Sequence, residues 1–481
     1  LTINHLPDEI LLEIFDSYRK RVIDSTNHQR RENPWREKYL WFNLTHVCRK
    51  WRAVTSASPS RLDLGITVGP YKPGDINTVL SSTLPIFLTY RHESEAITRD
   101  IPGLLRMRDV LEHHRDRMRE IAFQGTTDNF DQFFKETKCD FPVLESLSLY
   151  FGRTCSRLIP DTFLGGPDLS HLHLRRLALS GPLFTSKSRL LSSATTITSL
   201  TDLLLTIFTE THVSPSSLTF LLACLQRMHG LRSLDLSIIF GPSNSWSQPP
   251  TPKDIVPLSK LKHLRYNGHS ALLNALMAGL SAPSLRDVFF QFHDEILPPA
   301  AQLHRFIDEI EEQYHVAEVI FSRWEFYLFL LTQSEYICHR KPHFELHVDL
   351  RYYSKSIMQM SGALSTRLTT VEVLKVTFDK MAMADTDRVK DIMWRRFYQQ
   401  FPSVKVLRTE GASNTDYIAR TLHQVDGRPD GLGFFPALEE INLGKNSSTD
   451  KRERESQLVA FEPFVSARQQ ASRPVKVFFG P

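Results

Sequence analysis

Three groups of residues have the types and spacing from which chemistry is built. His114-Arg115-Asp116 offers an aspartate that could take a proton from a hydroxyl during phosphoryl transfer. That reaction also needs an asparagine five residues on, where this chain has Ile121, and a glycine-rich loop over the phosphates, which the chain lacks. The triplet therefore reads as a solvated helix face. His339, His343 and His347 recur every four residues, but Pro342 interrupts any helix that would align them, and a strand would not converge them on one metal. Cys48, Cys139, Cys155, Cys224 and Cys338 are an odd five with no Cys-x-x-Cys pair, so neither a disulfide framework nor a zinc site is expected. Reduced thiols fit a cytosolic or nuclear compartment. Gly-x-Ser-x-Gly, His-Glu-x-x-His and the phosphate-loop pattern are absent from the chain. These readings point to a binding protein rather than an enzyme, with no metal and no nucleotide cofactor expected.

At 481 residues the chain is long enough for several domains, and a 41% hydrophobic share is that of a packed, soluble protein. A formal charge of +4 is small for this length, and the long basic stripe of a nucleic-acid binder is missing. No apolar run approaches the roughly 18 residues of a membrane helix. Asn43-Leu44-Thr45 and Asn446-Ser447-Ser448 match the glycosylation sequon, which is idle without a signal peptide. The first residue is Leu1 rather than Met, which leaves open a missing leading segment and any targeting signal in it.

The elements that must position the functional residues begin with two short amphipathic helices. In the first, Leu6, Ile10, Leu11, Ile14, Phe15 and Tyr18 fall on one helical face. Pro7 suits a first turn, Asp8 and Glu9 suit the positive end of the helix dipole, and Arg19, Lys20 and Arg21 its negative end. In the second, Leu40, Leu44, Val47, Cys48, Trp51 and Val54 form the stripe, and the Ser56–Ser60 stretch with Pro59 ends it. So small a helical unit cannot bury all of its apolar surface, and the surplus is expected to meet a partner.

Leu6-Pro7-x-Glu9-Ile10-Leu11-x-x-Ile14-Phe15 followed by Val47-Cys48-Arg49-x-Trp51-Arg52 resembles the F-box motif. The resemblance implies a three-helix module that docks on the Skp-type adaptor of a cullin–RING ubiquitin ligase. Leu6, Pro7, Ile10, Leu11, Ile14, Phe15, Val47, Cys48 and Trp51 would then supply the adaptor contact. The spacer from Val22 to Tyr39 is long and charged, and Pro59-Ser60-Arg61-Leu62-Asp63 lacks the tryptophan such modules often place after the leucine. Both variations are found in F-box proteins of fungi, basidiomycete-type members included.

A second pattern fills most of the remaining chain. Leu144-x-x-Leu147-x-Leu149 recurs as Leu174-x-x-Leu177-x-Leu179, Leu200-x-x-Leu203-x-Leu205 and Leu231-x-x-Leu234-x-Leu236. It continues as Leu261-x-x-Leu264-x-Tyr266, Leu285-x-x-Val288-x-Phe290, Val316-x-x-Val319-x-Phe321, Val371-x-x-Leu374-x-Val376 and Leu438-x-x-Ile441-x-Leu443. Met118-x-x-Ile121-x-Phe123 starts the series, and weaker units lie around Leu346-x-Val348 and Val404-x-x-Leu407. The spacing of about 24 to 34 residues is that of a solenoid with one strand and one helical segment per repeat. The series resembles an irregular leucine-rich-repeat array. It is irregular because Gly152, Pro182, Phe208, Ile239, His269, His293 and Asp379 stand where the regular repeat has asparagine, and only Asn446 conforms. The backbone groups at these turns must be satisfied in another way.

The expected fold is therefore α/β: an F-box-like helical module over 1–65, a connecting segment over 66–115 and a leucine-rich-repeat-like solenoid over 116–481. A non-repetitive α/β domain is the alternative. Positions between the inward leucines form the concave surface, among them Arg176, Arg265, Phe289, Lys375 and Arg408, with Trp246 on a proline- and serine-rich loop from Gly241 to Pro257. Asp202, Asp235, Asp287 and Glu440 are interspersed, so the surface names no single class of target. By its resemblance the chain would be a substrate receptor, contacting cullin and RING subunits through the adaptor and holding a protein target, with no nucleic-acid or membrane partner. A binding scaffold outside the ligase is the alternative, a small molecule acting as glue stays open, and an intracellular hydrolase or transferase would have to do without the missing motifs.

Overall fold

The computed structural model describes residues 6–26, 44–58, 66–68, 85–91, 101–136, 140–151, 159–160, 163–164, 172–180, 189–209, 215–240, 255–293, 301–310, 313–321, 325–338, 342–349, 361–378, 396–410, 418–419, 421–422, 434–444 and 451–479. They divide into two compact units, Leu1–Leu200 and Thr201–Pro481.

The first unit opens with α1 (Asp8–Thr26) and α2 (Arg49–Ala57). It continues through β1 (Ile66–Val68), β2 (Ile86–Arg91), α3 (Ile101–His113), β3 (Met118–Gly125), α4 (Thr127–Glu136), β4 (Ser146–Phe151) and β5 (Arg176–Ser180). The strands lie side by side in chain order, every pair parallel. Two of them, β1 and β2, belong to the segment read as a connector. Residues Ile86 through Tyr90 are all buried, as a parallel strand covered on both faces requires, and Leu88 and Tyr90 face the anchors Ile121 and Phe123 although Pro85 stands where the unit has its first leucine.

The anchors stack across the strands. Ile121 stands opposite Leu147 and Leu147 opposite Leu177, while Phe123, Leu149 and Leu179 form the next column. All six are buried. Helix α4 presents Phe130, Phe133 and Phe134 at helical spacing, and Phe133 stacks on Phe123 with ring centroids 4.3 Å apart. Tyr90 stacks on the same Phe123 at 4.7 Å. Offset aromatic pairs of this kind add about 0.5–1.5 kcal/mol each beyond the area they bury.

In the second unit the strands are β6 (Asp202–Thr209), β7 (Ser233–Phe240), β8 (Val256–Pro257), β9 (His263–Gly268), β10 (Leu280–Ser281), β11 (Asp287–Phe292), β12 (Val316–Phe321), β13 (Glu325–Leu331), β14 (Phe344–Asp349), β15 (Val373–Phe378), β16 (Val406–Glu410), β17 (Glu440–Leu443) and β18 (Lys476–Phe479). Helices α5 (Pro215–Gln226), α6 (Ser270–Ala278), α7 (Ala301–Asp308), α8 (Gln333–Cys338), α9 (Ser365–Leu368) and α10 (Lys451–Gln470) alternate with them. The sheet order is β6-β7-β9-β11-β14-β13-β12-β15-β16-β17-β18. Leu203, Leu234, Leu264 and Val288 form one buried column, and Leu374, Leu407, Ile441 and Val477 are partners further along the sheet.

Two features depart from one parallel strand per repeat. First, β13 is antiparallel to both β12 and β14, so the chain passes β14's place, lays β12 beside β15, and returns through β13. Second, the anchors slip by two residues at either side of this excursion. Val316 faces Val373, not Val371, which makes Tyr314-x-x-Ala317-x-Val319 the matching unit, and Tyr314 and Ala317 are fully buried. Likewise Val288 faces Phe344 and Phe290 faces Leu346. A shift of two keeps every side chain on its own face, so alternation alone cannot choose between the two registers.

Arginines serve carbonyls at helix ends and strand entries, away from the turns where asparagine is missing. Arg305 on α7 donates to Met277 O at 2.8 Å, at the end of the preceding helix. Arg367 on α9 donates to Ile307 O at 3.1 Å and to Asp308 O at 3.0 Å. Arg468 on α10 is fully buried and reaches Leu438 O at 2.8 Å and Phe435 O at 3.4 Å. The guanidinium fork suits this task, because several donors on one rigid plane can serve more than one carbonyl. Among the described residues no helix is long and apolar enough to cross a membrane.

Candidate functional site

The N-terminal helix pair is held by a small core of Leu11, Leu12, Phe15, Leu44 and Val54, with Leu6, Tyr18 and Trp51 packed against it. Trp51 meets Phe15 edge to face at 4.7 Å. Cys48 caps α2 through its sulfur, 3.5 Å from the Trp51 N–H. Lys50 ties the helices together by donating to Leu6 O at 2.6 Å and standing 3.5 Å from Asp8. The stripe read from sequence is thereby split. Leu11 and Phe15 are enclosed, Leu6, Cys48 and Trp51 are half-buried, and Pro7 is exposed. Among the described residues of the stripe, Ile10 (44% exposed), Ile14 (40%) and Val47 (53%) are the large apolar side chains left to solvent, and Leu40 lies outside the described residues. Ile10 and Ile14 are one helical turn apart and neighbours on the same face.

The second candidate surface is the half-exposed face of the sheet in the second unit. A single row of register partners crosses it: Asp235, Arg265, Phe289, Glu345, Phe329, Glu318, Lys375 and Arg408. The expected target-binding residues Arg265, Phe289, Lys375 and Arg408 thus share one line of the sheet. Arg265 lies 4.2 Å above the Phe289 ring and 3.9 Å from the Asp235 carboxylate. Lys375 pairs with Glu318 at 3.0 Å. Arg408 donates to the Tyr336 hydroxyl and lies 5.3 Å from that ring. Arg176 is exposed on β5 of the first unit, and Trp246 lies outside the described residues.

The sequence reading missed the aromatic centre of this face. His347 packs edge-on against Tyr327 at 4.3 Å and Phe289 at 4.9 Å, and bonds Glu345 at 2.7 Å. Tyr327 and Phe329 come from β13, whose buried Phe326, Leu328 and Leu330 alternate with them. That alternation is legible in EFYLFLL, but Glu325 stands where the unit has its first leucine, so Leu328-x-Leu330 stayed outside the repeat series.

A second cluster borders this row. Asp287 accepts hydrogen bonds from both His263 and His343. The far nitrogen of His343 meets the buried Glu335 at 2.7 Å. Burial pushes the Asp287 carboxyl up, but the bonds from His263 and His343 outweigh it and hold it well below the usual range. Those from Asp287 and Glu335 raise His343 to about 10, so this imidazole is a cation at neutral pH. His343 and His347 therefore serve different carboxylates, and His339 lies outside the described residues. Arg115 and Asp116 are exposed in a single 3-10 turn before β3. Burial raises the Cys224 thiol to about 11, which leaves it protonated and unreactive at neutral pH.

In comparisons with known proteins, the chain matches no family model and no curated protein.

Proposed function

We propose that the chain is a substrate-receptor subunit of a Skp–cullin–F-box ubiquitin ligase, with the helix pair as its F-box and the strand series as irregular leucine-rich repeats. The observation that carries this reading is the division of the N-terminal stripe. Leu11, Phe15, Leu44 and Val54 fill the pair's own core, while Ile10, Ile14 and Val47 stay exposed. Exposed apolar side chains on so small a unit favour a protein partner. In this role the receptor performs no bond chemistry. It holds a target lysine near a ubiquitin-conjugating enzyme and so raises its effective concentration. The row from Asp235 to Arg408 is the surface offered to the target.

Co-purification tests the proposal. The full chain should recover a Skp-type adaptor and a cullin, and the Ile10→Glu/Ile14→Glu variant should recover neither. Recovery of the adaptor without cullin would make the chain a scaffold outside the ligase. Recovery of neither by the unaltered chain would overturn the F-box reading.

A further inference from the structure

The residue just before the first register partner of each parallel strand forms a ladder along one edge of the sheet. In the first unit this position holds Arg119, Glu145 and Arg175, joined by Glu145 N–H to Arg119 O at 2.9 Å and Arg175 N–H to Glu145 O at 2.8 Å. The signs alternate, and Arg119 pairs with Glu145 at 3.0 Å. On β12, β15, β16 and β17 it holds His315, Glu372, Lys405 and Glu439, again linked backbone to backbone. Lys405 pairs with Glu372 at 2.8 Å. Opposite signs suit this geometry, because adjacent strands are about 4.8 Å apart and like charges side by side repel.

On β7, β9 and β11 the ladder is different. It holds Arg232, Lys262 and Arg286, with Lys262 N–H donating to Arg232 O at 2.8 Å and Arg286 N–H to Lys262 O at 2.9 Å. All three are exposed, and none forms an ion pair with a described residue. The run is bounded by uncharged residues. Thr201 accepts from Arg232 N–H at 2.7 Å on one side. On the other, Pro342 stands two residues before Phe344 as Arg286 stands two before its partner Val288, with His343, bonded to Asp287, between Pro342 and the strand. Neighbouring carboxylates are already engaged: Asp287 between His263 and His343, and Asp235 with Arg265. Among the described residues these three adjacent cations therefore have no ion-pair partner, whereas the stretches through Glu145 and through Glu372 carry both signs.

We infer that Arg232, Lys262 and Arg286 form a docking rim for an acidic run of a protein chain. Two strand spacings span about 10 Å, the length of about three extended residues, so a short run of Asp or Glu can lie along the cations. Charge complementarity selects this occupant, and the shortness of the run argues against a nucleic-acid backbone, which is gripped by a longer basic stripe. The inference goes beyond the receptor reading and does not need it, because the rim lies in the second unit and is assayed without any adaptor.

Fluorescence anisotropy of a labelled peptide with a glutamate run tests it on the full chain, with the glutamine counterpart and a single-stranded oligonucleotide as further probes. The glutamate peptide should bind, the glutamine peptide should not, and added salt should weaken binding. Lys262→Glu and the triple reversal R232E/K262E/R286E should weaken it by about tenfold or more, as expected for charges that steer and hold a partner. Lys405→Ala, which removes a compensated ladder cation, should leave it unchanged. The single variant decides the matter should the triple one not fold. Equal binding by Lys262→Glu, equal binding of the glutamine peptide, no binding of the glutamate peptide, or preference for the oligonucleotide would each overturn the inference.

Discussion

The Glu335 carboxylate works in two directions. One oxygen accepts from the Thr332 N–H at 2.7 Å and its hydroxyl at 3.0 Å, closing a capping box at the start of α8, and the other holds His343 at 2.7 Å. A helix start and a surface histidine are therefore coupled through one buried side chain.

Stability should follow pH accordingly. His343 is raised from 6.5 to about 10, so its contribution is complete below pH 6.5 and is lost as pH rises through about 10. Asp287 is depressed from 3.8, so its contribution is present above pH 3.8 and is lost on further acidification. Thermal melts should show a decline from pH 6.5 towards 10 that is reduced in His343→Gln. An unaltered alkaline limb in that variant would remove His343 from the explanation.

The split N-terminal stripe allows folding to be tested apart from the proposed docking. Phe15→Ala should cost about 3–5 kcal/mol by leaving a hole against Trp51, and amide exchange should report loss of protection in both α1 and α2. Ile10→Glu/Ile14→Glu should keep that protection while losing adaptor recovery. Protection lost in both variants would mean that the exposed isoleucines hold the fold.

Arg468 is a buried cation serving two carbonyls. Arg468→Ala should destabilise the second unit by about 3 kcal/mol, since charge-assisted bonds are lost and Leu438 O is left buried without that donor. Arg468→Lys should recover little, because a point charge cannot span two carbonyls as the planar fork does. Urea unfolding followed by circular dichroism measures both.

Gly268 closes β9 against its neighbour. A Cβ there would stand 2.8 Å from Ile238 O and 2.9 Å from the Tyr266 hydroxyl, which donates to His269 O at 2.7 Å. Gly268→Ala should therefore cost about 1–3 kcal/mol by overpacking, read as a lower urea midpoint with an unchanged slope.

What the sequence determined by itself is the inward face. Apolar side chains at period two must leave water, so the anchors at Leu147, Leu177, Leu234, Leu264 and Ile441 are legible as a buried series, and each is buried. The same logic marks the helical stripe of Leu11 and Phe15. What only the tertiary structure decided is neighbourhood and register. Alternation is blind to a slip of two, so Val316 met Val373, and a strand such as β13, with Glu325 in place of the first anchor, enters between two others. The division between Phe15 inside and Ile10 outside likewise depends on where a second helix lands. The basic rim follows the same rule: Arg232, Lys262 and Arg286 lie far apart in the chain, and only backbone pairing sets them side by side.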